Sequence, residues 1–243
     1  MANEIWLSII QAITEFLPVS SSGHLALFSN VLGKPDLFLI TILHIASLFA
    51  VLIFTRHEIY KLITFEKKYG KMWLFLIIGT IPAALFGFLF KDAIESSLNS
   101  LLFIGIAFIF TGIILLMTKF VHNHRELNIK NSIFIGLFQV LALFPGVSRS
   151  GMTISAGLFS GIDRQEAVKF SFLLFIPLAL GAMVLELGSF YFSWVLLFAF
   201  TLCFLLSWIF IYLLYFVVQK NYFWLFSVYA FILGVISLIL WSG

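Results

Sequence analysis

Two stretches decide the fold: QAITEFLPVSSSGH at residues 11–24 and QVLALFPGVSRSGM at residues 139–152. Each places a proline and a run of small polar residues inside a segment that is otherwise apolar. Offset by 128 residues, the two stretches share six of fourteen positions. The shared positions are Gln11/Gln139, Phe16/Phe144, Val19/Val147, Ser20/Ser148, Ser22/Ser150 and Gly23/Gly151. This agreement indicates an internal repeat.

The composition around these stretches is that of an integral membrane protein. The 243 residues are 62% hydrophobic and 10% charged, and their mean hydropathy is +1.13. Soluble domains are about 45–50% apolar and about 25% charged. The polar fraction is too small for a nucleic-acid-binding module, so membrane lipids and not nucleic acids are the expected surroundings. The single cysteine, Cys203, excludes an intramolecular disulfide and a zinc–cysteine cluster, and its apolar neighbours predict a packing role.

Six charge-free stretches are long enough to cross a bilayer, which requires about 20 apolar residues. They are 37–55, 72–90, 98–118, 169–188, 190–218 and 222–241. The segments 4–33 and 131–162 are interrupted, and each interruption leaves two helices too short to cross. Irregular backbone at membrane depth is tolerated only where protein buries it or water reaches it. We therefore predict two re-entrant helical hairpins, with two kinked full spans as the alternative.

Three spans separate the hairpins, so the second hairpin enters from the opposite side of the membrane. The prediction is an all-α integral membrane protein with a single domain, residues 1–243, built as an inverted-topology repeat. Repeat 1 covers about 1–118 and repeat 2 about 131–243.

Lysine and arginine are distributed unequally in this topology. Eleven lie on one side: Arg56, Lys61, Lys67, Lys68, Lys71, Lys119, Arg125, Lys130, Arg164, Lys169 and Lys220. Only Lys34 and Lys91 lie on the other, and Arg149 is at a hairpin tip. The positive-inside rule makes the basic side cytoplasmic. Both termini and the mouth of the first hairpin then face outward.

Three ionisable residues fall at membrane depth, where such groups are costly and mark function by default: Glu15, His24 and Arg149. His44 lies among apolar neighbours in the first span, which favours a packing role. His122 and His124 fall in a basic loop, which favours solvation over a metal site.

The first hairpin combines groups that suit an anion. Gln11 and Glu15 lie one turn apart on one helix face. After Pro18, the run Ser20–Gly23 begins a second helix, with His24 one turn in. Serine is a good N-cap, and free N–H groups at a helix start bind anions. A purely structural role for the serines and Glu15 is the alternative.

The second hairpin supplies the same parts with an arginine added. Ser148 and Ser150 can cap its second helix, and Thr153 lies one turn after Arg149. The guanidinium of Arg149 suits bidentate binding of phosphate. Alternatively, Arg149 forms a buried ion pair with Glu15 that holds the hairpins together. Together the two hairpins indicate a phosphate-bearing lipid, without deciding between its cleavage and its transport.

At these residues the sequence resembles the undecaprenyl-pyrophosphate phosphatase family, also known for bacitracin resistance. The carrying motifs are QAITEFLPVSSSGHL and PGVSRSGMT, with looser likeness in LHIASLFAVLIFTR, GTIPAALFGFLF and EAVKFSFLLFIPLALGA. The resemblance implies a bacterial cytoplasmic-membrane enzyme that removes the terminal phosphate of undecaprenyl pyrophosphate. Its product, the monophosphate carrier lipid, is reused in peptidoglycan and envelope synthesis. The active site is expected to open toward the outer face.

The resemblance also implies which residues act. The family's essential acid falls on Glu15, its motif serine on Ser21, its histidine on His24 and its arginine on Arg149. We expect the neighbouring polar residues to bind substrate: Gln11, Ser20, Ser22, Gly23, Ser148, Ser150 and Thr153. Gln11 replaces a glutamate found in many relatives, so this position cannot supply a base.

Several features of the mechanism stay open at this stage. Ser21 is the candidate nucleophile, unless water attacks, and His24 is the candidate base or leaving-group acid. Glu15 orients His24 or holds a divalent cation, Mg²⁺ or Ca²⁺ by resemblance, although one carboxylate is a small ligand set. No organic cofactor is expected. A lipid-phosphate transporter or flippase is the rival function, and the oligomeric state is open, a homodimer included.

Overall fold

A computed structural model describes residues 2–32, 37–66, 69–121, 125–186 and 193–242. These residues form α-helices joined by short turns. The helices are α1 (Ala2–Phe16), α2 (Ser21–Leu32), α3 (Leu37–Phe54), α4 (Arg56–Ile63), α5 (Met72–Leu89), α6 (Lys91–Ser97), α7 (Leu101–Met117), α8 (Ile129–Leu141), α9 (Arg149–Phe159), α10 (Arg164–Glu186), α11 (Trp194–Gln219) and α12 (Phe226–Ser242). Short 3-10 turns at Thr118–Phe120 and Phe223–Leu225 extend α7 and precede α12.

The chain is an all-helical, multi-span membrane protein. Among the described residues, five helices are long and apolar enough to cross a membrane: α5, α7 with its 3-10 turn, α10, α11, and α12 with its 3-10 turn. A sixth span results if α3 is counted together with α4, which bends away from it by 72°. The outer faces of these helices are apolar and exposed, as Ile77, Ile106 and Ile209 illustrate, which suits contact with lipid.

The two interrupted segments are broken where the sequence predicts. Helices α1 and α2 contain 15 and 12 residues and are separated by residues 17–20. Helices α8 and α9 contain 13 and 11 residues and are separated by residues 142–148. At 1.5 Å per residue, a 15-residue helix is about 22 Å long, shorter than the roughly 30 Å hydrocarbon core. None of the four can cross alone.

Helix α10 forms the centre against which the broken segments pack. The ring of Phe16, at the end of α1, contacts Phe172 and Phe175 edge-on at 5.8 and 6.1 Å. The hydroxyl of Thr153 in α9 lies 2.6 Å from that of Ser171, which also belongs to α10. Because both broken segments contact the same helix, their interruptions are brought close together.

Contacts between helix ends gather basic residues at one end of the bundle. Lys169 pairs with Glu58 at 2.6 Å, which joins the start of α10 to α4. Arg164 donates to the side chain of Asn221 at 2.8 Å, just after α11. Lys119 lies over the ring of Trp224 at 4.4 Å, which joins the end of α7 to the start of α12. Lys34, Lys67, Lys68, His122 and His124 lie outside the described residues, so the predictions made for them keep that status.

Candidate active site

Serines cap the second helix of each broken segment, as predicted. The Ser20 hydroxyl accepts from the Gly23 N–H at 3.3 Å, and the Ser148 hydroxyl accepts from the Gly151 N–H at 3.1 Å. The first N–H groups of a helix have no partner within the helix. Both α2 and α9 therefore begin with donors available to an anion.

The two interruptions are in direct contact. The Gly146 N–H donates to the Ser20 hydroxyl at 3.1 Å, although these residues are 126 positions apart. Ser20 has φ 63°, a left-handed conformation that costs a non-glycine residue roughly 1–2 kcal/mol. Gly23 allows the close approach, because a Cβ there would lie 2.6 Å from the Phe108 ring and 2.9 Å from Gly146 Cα. The fold thus maintains a strained serine at the point where the segments meet.

The Glu15 carboxylate is the centre of the site. Arg149 donates to one of its oxygens at 2.8 Å, and Ser21 donates to the other at 2.7 Å. The Gln11 amide also donates to that second oxygen, at 3.0 Å. Ser21 and Arg149 therefore lie close together, because both contact the same carboxylate. The buried ion pair considered from the sequence is present as well.

A cavity of about 290 Å³ opens beside this carboxylate. Its polar wall contains Thr14, Glu15, Ser20, Ser21, Ser22, His44, Ser148 and Arg149. Its apolar wall contains Ala142, Leu143, Val147, Phe175, Leu178, Ala179 and Ala182. The starts of α2 and α9 therefore face one space whose opposite side suits hydrocarbon.

The Arg149 guanidinium is held between a charge and a ring. Its carbon lies 4.1 Å from the centre of the Phe175 ring, and one nitrogen pairs with Glu15. Its other terminal nitrogen, Nη1, is buried and has no hydrogen-bond partner among the described residues. A buried donor without a partner is costly, so this nitrogen is ready to bind an anion.

The structure corrects the prediction that His44 is a packing residue. Its side chain is 37% exposed, and its Nε2 lies 3.8 Å from the Glu15 carboxylate. It lines the central cavity and a smaller one of about 60 Å³ between α3 and α10. The available sequence signal was the spacing of Thr41, His44 and Ser47, which places polar groups on one face of an apolar helix.

The structure places His24, a predicted catalytic residue, outside the lining of this cavity. His24 is 4% exposed and does not line the cavity. Its Nδ1 lies 2.7 Å from the Ser20 carbonyl oxygen, and its Nε2 lies 2.8 Å from the Tyr229 hydroxyl. With both ring nitrogens engaged, His24 reaches the cavity only through Ser20.

Four predicted substrate-binding residues lie behind the cavity wall. Gln11 contacts Glu15 from the α1 side, and Gly23 contacts Gly146 and Phe108. The Ser150 hydroxyl donates to the Leu17 carbonyl at 3.4 Å, and the Thr153 hydroxyl donates to the Arg149 carbonyl at 2.9 Å. In this arrangement these residues support the site from behind.

The residues at the site do not form a resident cation site. Both oxygens of Glu15 accept hydrogen bonds, one of them from the positively charged Arg149. Hard cations such as Mg²⁺ and Ca²⁺ take six or more oxygen ligands. In the described part of the chain, no three His, Cys, Asp or Glu side chains are grouped to hold a metal ion. The expectation that Glu15 binds a divalent cation is therefore not supported by its donor set.

Comparison with known proteins shows the family to which the chain belongs. The model of the bacitracin resistance protein BacA family matches residues 4–236. An undecaprenyl-diphosphatase of Thermosipho melanesiensis is 44% identical over 194 residues, which are 76% of this chain and 78% of the relative. One of Methanococcus maripaludis is 39% identical over 212 residues, 84% of this chain and 85% of the relative. Undecaprenyl-diphosphatase 4 of Bacillus thuringiensis is 44% identical over 189 residues, 75% of this chain and 72% of the relative. Since the match covers nearly the whole chain and both broken segments, the chain belongs to the BacA bacitracin resistance family.

Proposed function

We propose that this protein hydrolyses undecaprenyl diphosphate to undecaprenyl phosphate and inorganic phosphate. The reaction recycles the carrier lipid for cell-envelope synthesis and protects the cell against bacitracin. The relatives carry the name of this activity. The observation that carries the proposal is the meeting of Ser21 and Arg149 on the Glu15 carboxylate, at two helix starts beside an apolar wall.

Arg149 and the two helix starts hold the terminal phosphate. Phosphoryl transfer depends mainly on positioning and on charge stabilisation. Arg149 keeps a second nitrogen, Nη1, without a hydrogen-bond partner among the described residues, and Ser148 and Ser22 line the same cavity. The planar fork of an arginine suits two phosphate oxygens at once. The lipid chain of the bound substrate extends from the phosphate along the apolar wall toward α10.

Ser21 and Glu15 carry the chemistry. The Ser21 hydroxyl already donates to Glu15 at 2.7 Å, within the range expected of a nucleophile and its base. Ser21 Oγ attacks the terminal phosphorus, Glu15 takes the proton, and the bridging P–O bond breaks to release undecaprenyl phosphate. Water then attacks the phosphoserine, which restores Ser21 and releases phosphate. If water attacks first, Ser21 acts instead as a hydrogen-bond donor to the phosphate.

The membrane arrangement we propose has six spans and two re-entrant hairpins in an inverted repeat within a single domain. The hairpins are α1–α2 and α8–α9, and the repeats are 1–118 and 131–243. Four helices too short to cross support this arrangement, as does the contact between the two interruptions. The basic helix ends support a cytoplasmic orientation for that side.

The active site then opens toward the outer face of the cytoplasmic membrane. The second, smaller cavity shares His44, Ala179 and Ala182 with the central one. It continues to Thr41 and Met183, which lie toward the start of α3 and the end of α10. Those helix ends lie away from the basic end of the bundle. This direction supports entry of the lipid from the outer leaflet.

Phosphate release by the purified protein in detergent tests the function. Detergent micelles have no sidedness, so a transporter or flippase would give no signal. We expect steady release from undecaprenyl diphosphate, and a fall of at least 100-fold in Ser21→Ala. Ser237→Ala is the matched control, because its hydroxyl donates to the Leu233 carbonyl of its own helix and does not line the cavity. Absence of release by the folded wild-type protein would refute the enzyme and favour the transporter.

A further inference from the structure

A hydrogen-bonded chain connects α12 to the active site. The Tyr229 hydroxyl lies 2.8 Å from His24 Nε2, and His24 Nδ1 lies 2.7 Å from the Ser20 carbonyl oxygen. The two rings are nearly parallel, at 7°, with centres 5.7 Å apart. The Phe108 ring meets His24 edge-on at the same separation. The imidazole is thus held by Tyr229 and Phe108, which do not line the cavity, and by the carbonyl of Ser20.

The hydrogen bonds determine which nitrogen of His24 carries the proton. A carbonyl oxygen only accepts, so Nδ1 must donate to Ser20. The neutral imidazole then accepts at Nε2 from the Tyr229 hydroxyl. The two groups that pair with the Glu15 carboxylate, Arg149 and His44, contact Glu15 and not this ring. Among the described residues no carboxylate pairs with His24, so no anionic side chain there stabilises an imidazolium.

Ser20 links these hydrogen bonds to the geometry of the active site. Its carbonyl accepts from the backbone N–H of His24 as well as from the ring. Its hydroxyl accepts from the Gly23 and Gly146 N–H groups, which joins the two interruptions. Its left-handed conformation determines where the next residue, Ser21, begins α2. A group that holds the Ser20 carbonyl therefore holds Ser21 against Glu15.

We propose that Tyr229 is a positioning residue for the phosphatase, acting through a neutral His24 that fixes Ser20. His24 transfers no proton in the reaction. This inference rests on the proposed role of Ser21. It assigns a function to a residue of the last helix, which supplies no group to the cavity wall.

Two variants of His24 provide the first test, because each preserves a nitrogen near one of the two ring-nitrogen positions. Asparagine places its amide N–H near the position of Nδ1, whereas glutamine places its amide near Nε2. We expect His24→Asn to keep kcat within about fivefold of wild type and His24→Gln to lose at least 30-fold. Tyr229→Phe should lower kcat three- to tenfold, leave KM nearly constant and leave the shape of the pH–rate profile unchanged. Tyr212→Phe is the matched control, since its exposed ring packs on Phe54 and Trp208, away from the site.

A proton-transfer role for His24 predicts different results. His24→Asn and His24→Gln would then lose activity equally, and the limb of the pH–rate profile due to histidine would vanish in both. Full activity in both variants, or in Tyr229→Phe, would equally overturn the proposal. Thermal unfolding of each variant in detergent identifies losses due to misfolding, and Tyr229→Phe removes a single oxygen if the histidine variants do not fold.

Nitrogen-15 NMR of the substrate-free protein tests the tautomer independently of turnover. The His24 signals are assigned by their loss in His24→Asn. We expect the Nδ1–H tautomer to persist between pH 5.5 and 8. An Nε2–H tautomer or an imidazolium in that range would overturn the proposal. Because this readout requires no substrate, it stays informative even if Ser21→Ala retains activity and the proposed role of Ser21 fails.

Discussion

A substitution of Arg149 can distinguish the effect of its positive charge from the effect of its planar shape. Arg149→Lys keeps the positive charge but loses the planar fork and its stacking on Phe175. We expect turnover to fall at least tenfold, which corresponds to about 1.4 kcal/mol or more of transition-state stabilisation. Initial rates of phosphate release from undecaprenyl diphosphate, at saturating substrate, measure the effect.

Arg164→Lys is the matched control for this substitution. Arg164 donates to Asn221 at the basic end of the bundle, far along α10 from the cavity. It should keep near-normal turnover. If Arg149→Lys also turned over normally, the phosphate would not be held by the guanidinium fork.

Glu15→Gln distinguishes the role of Glu15 as a base from its role in holding the neighbouring side chains. Glutamine has the same size and can still accept from Arg149, but it cannot take the proton of Ser21. We expect kcat to fall by about 10²–10⁴-fold, the usual contribution of a general base. Glu95→Gln, at an exposed pair with Lys91, is the control. Turnover by Glu15→Gln within tenfold of wild type would require a different base, and His44 would be the next residue to test.

At the residue scale, the sequence could predict site residues that lie in a short motif, but it could not predict their contacts with residues of distant helices outside the motifs. Glu15, Ser21 and Arg149 lie in two short motifs, so their convergence followed from the repeat. His24 lies in the same motif, yet its second partner, Tyr229, is 205 positions away. His44 reaches Glu15 from another helix. The spacing of Thr41, His44 and Ser47 marks a polar face of α3 but does not identify the partner of His44, because both contacts depend on how α3 and α12 pack.

The joint between the broken helices depends on Gly146 as well as on Gly23. Gly146 has φ +92°, and a Cβ there would lie 2.6 Å from the Ile104 carbonyl oxygen and 2.8 Å from Ala107 Cβ. Gly146→Ala should therefore destabilise the protein by about 2 kcal/mol or more, through left-handed strain and overpacking. Thermal unfolding in detergent should show a lower midpoint. Gly181→Ala is the control, since nothing lies within 4 Å of its added Cβ; equal midpoints for both variants would contradict a strained joint.

At the element scale, the lengths of the apolar stretches predicted the long helices well, but they predicted polar helices and polar helix ends poorly. Helix α10 begins at Arg164, before the predicted start at residue 169, because its first turn is polar. The Asp163 side chain accepts from the Gln165 N–H at 2.8 Å and so starts the helix earlier. The short polar helices α4 and α6 lie outside every apolar run. A method based on charge-free stretches cannot detect them.

At the scale of the whole molecule, the site lies where the two halves of the chain meet. Repeat 1 contributes Glu15 and Ser21, and repeat 2 contributes Arg149 and Phe175. In the inverted repeat proposed above, neither half has a complete site, so activity would require both hairpins to reach the same depth from opposite sides. Such an arrangement makes one experiment on topology informative about catalysis as well.

Three single cysteines in a Cys203→Ser background test that topology: Asn3→Cys, Lys71→Cys and Lys91→Cys, all at exposed positions. If α1 and α2 form a re-entrant hairpin, Asn3 and Lys91 lie on the outer side and Lys71 lies on the cytoplasmic side. A membrane-impermeant maleimide added to intact cells should then label the first two variants, and label Lys71→Cys only after the membrane is opened. Were the α1–α2 segment a kinked full span, Asn3→Cys would instead label together with Lys71→Cys. That result would place the first interruption in a transmembrane helix, and the inverted repeat would have to be abandoned even with the phosphatase activity intact.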